Sequence, residues 1–204
     1  MIPPSKIVCV GRNYLEHARE LGNDVPSAPL LFFKPPSSLL AAGAPIVLPP
    51  ESERVEYEGE IGVVIGATLR HADEATAVRG IGGLVAINDV TARDLQQTDG
   101  QWARAKGFDT FCPVGPVYSG ALPPLDAIEV VTWVNGQERQ RGSSGQMAFS
   151  IPFLLSYISR IMTLVPGDLV ATGTPAGVGR LSPGDRVRVE LTGLSAVENP
   201  VAAP

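Results

Sequence analysis

The sequence predicts an α+β fold dominated by mixed or antiparallel β-sheet, on three observations. Its 22 glycines and 19 prolines are spread along all 204 residues, which suits many short strands joined by tight turns rather than a disordered tail. Short apolar and β-branched runs recur between those turns, whereas only two or three segments carry helical spacing. Strand-like and helix-like segments do not alternate regularly, which argues against a parallel βαβ architecture.

In chain order, Lys6–Val10 reads as a strand closed by Gly11, and Asn13 can cap a helix over about Tyr14–Leu21, ended by Gly22. Asn23–Pro29 is a loop. Leu30–Lys34 is a strand stopped by Pro35-Pro36, and Ile46–Leu48 is another between prolines. Val55–Ile65 is the longest strand candidate, Ala72–Arg79 is a helix with Asp73 and Glu74 at its positive end, and Leu84–Val90 is a strand. Ile128–Val134 leads into Asn135-Gly136, the strongest hairpin signal, with a return arm over roughly Gln137–Gln140. Ser150 caps a helix to about Met162, with Pro152 in its first turn. The twin turns Pro166-Gly-Asp168 and Pro183-Gly-Asp185 feed strands at Leu169–Thr172 and Arg186–Leu191.

With 44% hydrophobic and 18% charged residues, the chain belongs among globular proteins, and its length suits one domain spanning 1–204. The net charge of −5, without a basic run, argues against nucleic acid as a partner. No apolar stretch approaches the roughly 20 residues of a membrane span. The first residues, Met1–Lys6, carry no signal-peptide pattern, and Cys9 and Cys112 read as buried thiols in a reducing compartment. The expectation is a cytoplasmic protein.

Three acids stand out. Glu58 and Glu60 head an apolar run, and Asp89 ends a second one 29 residues on. Residues two apart on a strand point the same way, so the two glutamates are expected on one face, with Glu56 beside them. Like charges held together raise each other's pKa, and a hard divalent cation with oxygen ligands would compensate them. The alternative is a pair of solvated strand residues and a turn-capping aspartate. No His/Cys cluster offers a zinc or copper site. His17 and Glu20 are helical neighbours, either a general base with its orienting carboxylate or a surface ion pair. Arg93 could be a counter-ion for the acids, Lys106 a solvated lysine, and His71 a surface residue. Thr172–Gly179 is a glycine-bearing loop whose N–H groups can approach an anion.

Together these segments resemble the fumarylacetoacetate hydrolase family, in its small acylpyruvase and oxaloacetate decarboxylase-like branch. The matching text is Val10-Gly-Arg-Asn-Tyr14 with His17; Phe33-Lys-Pro35; Glu58-x-Glu60-x-Gly-Val-Val; Asn88-Asp-Val-Thr-Ala-Arg-Asp94; Ala105-Lys106-x-Phe-Asp109 with Cys112-Pro-Val-Gly115; Phe149-Ser-Ile-Pro152; and Gly167-Asp168 followed by Thr172-Gly-Thr-Pro175-x-Gly-Val-Gly179. The resemblance implies a mixed β-sheet roll or barrel, a homodimer, and a lid helix over about 13–22. It implies Mg²⁺ or Mn²⁺ held by Glu58, Glu60 and Asp89, a water-activating pair His17/Glu20 working with Lys106, and substrate contacts from Arg93, Gln96 and Thr174.

The activity it implies is hydrolytic C–C cleavage of a small 2,4-diketo acid of the acylpyruvate or fumarylpyruvate type. A pyruvate enolate would leave, its charge taken up by the cation. Oxaloacetate decarboxylation and isomerisation of a 2-hydroxyhepta-2,4-diene-1,7-dioate-type acid are alternatives on the same site, and a non-catalytic small-acid binding protein is a remote one. Two segments depart from the family pattern, Gln96–Gln101 and Arg141–Gln146, and both bear on the substrate pocket or the dimer contact.

Overall fold

The computed structural model describes residues 4–16 and 26–203. Of the expected helix over Tyr14–Leu21 and the lid it would form, Tyr14 instead makes an isolated β-bridge with Met147 and Leu15 and Glu16 are helical, while 17–25, with the pair His17 and Glu20, lie outside the described residues.

The strands in chain order are β1 Ile7–Gly11, β2 Leu30–Lys34, β3 Leu39–Ala41, β4 Ile46–Val47, β5 Val55–Tyr57, β6 Gly59–Ile65, β7 Ile81–Asn88, β8 Thr91–Ala92, β9 Cys112–Val114, β10 Glu129–Val134, β11 Gln137–Ser143, β12 Leu169–Ala171, β13 Gly179–Arg180, β14 Arg186–Leu191 and β15 Ser195–Ala202. They form a seven-stranded mixed sheet (β2-β1-β12-β6-β7-β9-β3), a five-stranded sheet (β11-β10-β14-β15-β4) and a small three-stranded one (β13-β5-β8). The α+β expectation holds: mixed sheets carry the fold and the described α-helices are short, at Glu74–Arg79, Arg93–Thr98, Ala103–Gly107 and Ile151–Ile161.

The large sheet is buried on both faces, as period-two alternation shows. Val8, Ile61, Val63 and Leu84 join a core with Val130, Val189 and Leu191 of the five-stranded sheet and with Ile151, Leu155 and Ile158 of the helix. Their neighbours Ile7, Cys9, Val85, Ile87 and Leu169 face the other way into a second cluster with Cys112. Each fully buried aliphatic side chain contributes about 1.5–3 kcal/mol, so the last helix is held by its apolar stripe. Ser150 caps that helix by accepting the Phe153 N–H at 3.4 Å. Cys112, buried with Cys9, has its thiol pushed up to about 12 by burial.

The Asn135-Gly136 turn has φ of +53° and +77°, the pair a two-residue hairpin of the primed type requires. The Asn135 side chain ties this hairpin to the second twin turn, donating to Asp185 at 2.8 Å and accepting the Arg186 N–H at 2.9 Å. The return arm runs to Ser143, beyond the expected Gln140.

One expectation is corrected. Val55–Ile65 is not a single strand: it breaks at Glu58, β5 entering the three-stranded sheet and β6 the seven-stranded one. Side chains satisfy most of the backbone groups there. The Glu58 N–H donates to Asn88 Oδ1 at 3.0 Å and the Gly59 N–H to Gln140 Oε1 at 3.0 Å. The Thr174 hydroxyl donates to the Gly59 carbonyl at 2.9 Å. A Cβ on Gly59 would stand 2.0 Å from Thr132 Oγ1, so only glycine lets the chain cross at this point.

Candidate active site

The break at Glu58 places the acids. β6 pairs with β7 in the register Gly59↔Asn88, so Asp89, just past the end of β7, lies beside Glu58. The Asp89 N–H donates to the Glu58 carbonyl at 2.8 Å. Glu58, Glu60 and Asp89 are all buried, and one carboxylate oxygen from each lies within 4.8 Å of the others, the only such group of three possible ligands among the described residues.

Cations surround two of the three acids. Lys106 Nζ bridges them, 2.8 Å from Glu58 Oε2 and 2.6 Å from Asp89 Oδ2. Lys34 Nζ lies 2.7 Å from Asp89 Oδ1. Arg93 donates to Glu58 Oε1 at 2.5 Å and to Glu56 Oε2 at 2.7 Å. Burial alone would lower the Lys106 pKa, but Asp89 and Glu58 outweigh it and the ammonium ends raised. Arg93 is likewise held charged, burial opposing and Glu58 and Glu56 prevailing.

Glu60 is different. Among the described residues its carboxylate accepts one hydrogen bond, from the Gly173 N–H at 2.8 Å. Burial, then Asp89, then Glu58 push its pKa well up. An oxygen-only trio containing one buried, undercompensated carboxylate fits a hard divalent cation.

Glu58 and Glu60 line a cavity of about 320 Å³ together with Arg93, Gln96, Lys106 and Thr174, and Asp89 is joined to it through Lys106. The structure therefore gathers seven of the nine residues singled out from sequence; His17 and Glu20 lie outside the described residues. The roles of the gathered side chains are more constrained than their types suggest. Arg93 donates to Gln96 Oε1 as well as to the two glutamates. The Thr174 hydroxyl donates to Gly59 O and accepts from Gln140 Nε2 at 2.8 Å. Lys106 is buried, not the solvated lysine of the alternative reading, whereas His71 is exposed as expected.

Sequence reasoning missed several contributors. Lys34 sits in the Phe33-Lys-Pro35 match, yet nothing marked it as a buried partner of Asp89; its place at the end of an apolar run was the available signal. Asn88, which holds the backbone at Glu58, heads a matching segment but was not marked as a support, and Gln140, which holds Gly59, carried no signal. Phe32 and Trp102 form the apolar wall of the cavity, their rings edge-to-face at 5.2 Å, with Lys106 Nζ 4.9 Å from the Phe32 centroid. Arg12 also lines the cavity, on a backbone with φ +57°. Of the two departing segments, Gln96 and Gln97 line this cavity, and Arg141 and Gln146 line a second one of about 190 Å³ beside Tyr14. Among the described residues no helix is long and apolar enough to cross a membrane.

Residues 6–202 match the family model described as fumarylacetoacetate (FAA) hydrolase C-terminal. A curated relative, "Oxaloacetate decarboxylase, mitochondrial" of Dictyostelium discoideum, is 45% identical over 93% of this chain and 89% of its own. A solved 5-carboxymethyl-2-hydroxymuconate delta-isomerase from Mycobacterium smegmatis superposes with a TM-score of 0.91 at 42% identity, covering 100% of this chain and 80% of that one. The fumarylpyruvate hydrolase of Pseudomonas aeruginosa, solved with Mn²⁺ and pyruvate, gives 0.92 at 32% identity over 99% of this chain and 91% of that one.

Proposed function

The chain belongs to the fumarylacetoacetate hydrolase family, and we propose that it is a Mg²⁺- or Mn²⁺-dependent enzyme that hydrolyses a C–C bond in small 2,4-diketo acids. The observation that carries this reading is the buried trio Glu58, Glu60 and Asp89, two of which line a cavity that the cations Arg12, Arg93 and Lys106 also line. Those three carboxylates would hold the cation. When bound, it supplies Lewis-acid polarisation of the 2-oxo group and takes up developing negative charge.

The chain's own residues do the rest. Phe32 and Trp102 wall the cavity and limit water around the bound acid. His17 takes the proton from the attacking water, and Glu20 orients its imidazole. Lys106, held charged between Glu58 and Asp89, balances negative charge on the leaving fragment. Arg93 fixes Glu58 and Gln96, while Thr174 positions the Gly59 turn.

The 45% identity to a protein named an oxaloacetate decarboxylase favours a second reading, loss of CO₂ from oxaloacetate on the same platform. That reaction needs no water activation by His17. A proton shift in a hydroxymuconate-type acid has the same kind of support, from the isomerase neighbour. The reading includes a cytoplasmic homodimer. The exposed Leu30 and Phe33, on the edge strand β2, support the dimer as large apolar side chains open to a partner.

A panel of acetylpyruvate, fumarylpyruvate, oxaloacetate and a hydroxymuconate, each with Mg²⁺ and with chelator, tests the reading. The expected result is cation-dependent loss of the diketone absorbance. Turnover of oxaloacetate alone would replace hydrolysis with decarboxylation, and no turnover of any acid would overturn the enzyme reading.

A further inference from the structure

We infer that Arg12 selects doubly charged substrates, its guanidinium binding the carboxylate at the far end of a 2-oxo diacid. The inference deepens the function proposed above and rests on it for the near end of the substrate.

Three observations carry it. Arg93, Lys106 and Arg12 are the cations lining the 320 Å³ cavity. The first two are engaged with Glu56, Glu58 and Asp89, while Arg12 makes no ion pair with any described residue. Among the described residues, Arg12 is thus the cavity cation left to donate to an anion.

The backbone is the second observation. Arg12 sits at φ +57°, a region that a long side chain enters only when its surroundings impose it. Asn13 imposes it here. Its side chain donates to the Thr172 carbonyl at 2.8 Å and to the Phe149 carbonyl at 3.1 Å, and accepts the Phe149 N–H at 2.9 Å. Glycine would fill the position without strain, so the arginine is there for its side chain.

Third is placement. Arg12, Phe32 and Trp102 line both the cavity and an adjoining groove of about 540 Å³, so they stand between the two. Gly11 permits this wall, since a Cβ there would lie 2.9 Å from the Trp102 ring. Arg12 lines both spaces, whereas Glu58 and Glu60 line only the first. Charge agrees with position. Leaving aside Glu56 with its exposed partner Arg54, three buried carboxylates face three buried cations (Lys34, Arg93 and Lys106). Counted over the described residues, a divalent cation then adds two positive charges and Arg12 a third, so both carboxylates of a diacid meet net positive charge.

The test compares 2-oxoglutarate with 2-oxopentanoate, which share a five-carbon 2-oxo acid skeleton and differ in the far carboxylate. Calorimetric binding to the Mg²⁺-loaded wild type is expected to favour 2-oxoglutarate by about 10- to 100-fold, the range for a charge-assisted hydrogen bond. Arg12→Gly should remove that preference while keeping the melting temperature equal or higher, because the strain is relieved. Arg12→Lys should retain part of it. A preference that survives in Arg12→Gly, or a wild type without one, overturns the inference. If no keto acid is turned over yet the Arg12-dependent preference is present, the catalytic reading fails and this one stands.

Discussion

Glu60 Oε2 accepts the backbone N–H of Gly173 at 2.8 Å, joining the acid cluster to a loop 113 positions away in sequence. Gly173 has φ +102°, and a Cβ on it would lie 2.8 Å from Asn13 Cβ and 3.2 Å from the Val10 carbonyl. Gly173→Ala should therefore destabilise the protein by about 2–4 kcal/mol through strain and overpacking. It should also weaken Mg²⁺ binding, because the donor moves off Glu60. Urea unfolding at unchanged slope, with a Mg²⁺ titration, checks both effects; a neutral substitution would show that the loop is not fixed by this contact.

Glu60→Gln should separate stability from function. Burial, Asp89 and Glu58 already push the Glu60 carboxyl upward, so a neutral amide removes an unfavourable buried charge. The metal-free variant is expected to melt at the same temperature as wild type or higher. Saturating Mg²⁺ stabilises a binding protein by about 2.7 kcal/mol at a hundred times its Kd, and the variant should lose that gain. Thermal melts with and without Mg²⁺ decide it: a full Mg²⁺ shift in Glu60→Gln would remove Glu60 from the ligand set.

Lys106→Met should be costly in the metal-free protein. The ammonium bridges Glu58 and Asp89, and deleting one partner of a buried ion pair typically costs about 3–5 kcal/mol. Mg²⁺ should recover part of that loss, since it compensates the same two acids. Urea melts in Mg²⁺ and in chelator measure the recovery. A loss that Mg²⁺ leaves untouched would mean Lys106 and the cation do not share their partners.

His17→Ala is expected to lower diketone hydrolysis by about a hundredfold or more, the contribution of a general base, and oxaloacetate decarboxylation by far less. Steady-state rates on the two substrates give the comparison. Equal losses would withdraw the water-activating role from His17.

The acids were legible because carboxylates at the ends of apolar runs are anomalous on any fold. Hairpin and helix caps were legible because Asn135-Gly136 and Ser150-x-Pro152 fix local geometry by themselves. What stayed hidden depends on distant partners. The break at Glu58 needs Asn88, Gln140 and Thr174, 30 to 115 positions away. Lys34 and Lys106 look like ordinary surface lysines until the fold closes Asp89 over them. The helices at Arg93–Thr98 and Ala103–Gly107 are too short to show a period. β15 buries Ser195, Val197, Asn199 and Val201 in clean alternation, but Glu198, Asn199 and Pro200 disguise it as a turn.

The acid limb of stability should trace to Asp168. This buried carboxylate staples the start of β1 to the start of β12, the parallel pair whose far ends carry Arg12 and Gly173. Its Oδ1 accepts from Ser5 Oγ at 2.6 Å and from the N–H groups of Ser5 and Lys6. Its Oδ2 accepts from Lys6 Nζ at 2.5 Å and from the Val165 N–H at 2.9 Å. Burial would raise its pKa, but the hydrogen bonds from Lys6, Ser5 and Val165 prevail and hold it below the usual range. A carboxyl whose folded pKa is depressed stabilises the protein above its unfolded pKa, about 3.9 for Asp, and loses that contribution as pH falls through the folded value. Asp168→Asn should therefore cost about 1–3 kcal/mol at neutral pH, and the gap to wild type should narrow below about pH 4. Urea midpoints at pH 7, 5 and 3 follow the gap. A difference constant across that range would mean the staple acts through shape alone and not through the ionised carboxylate.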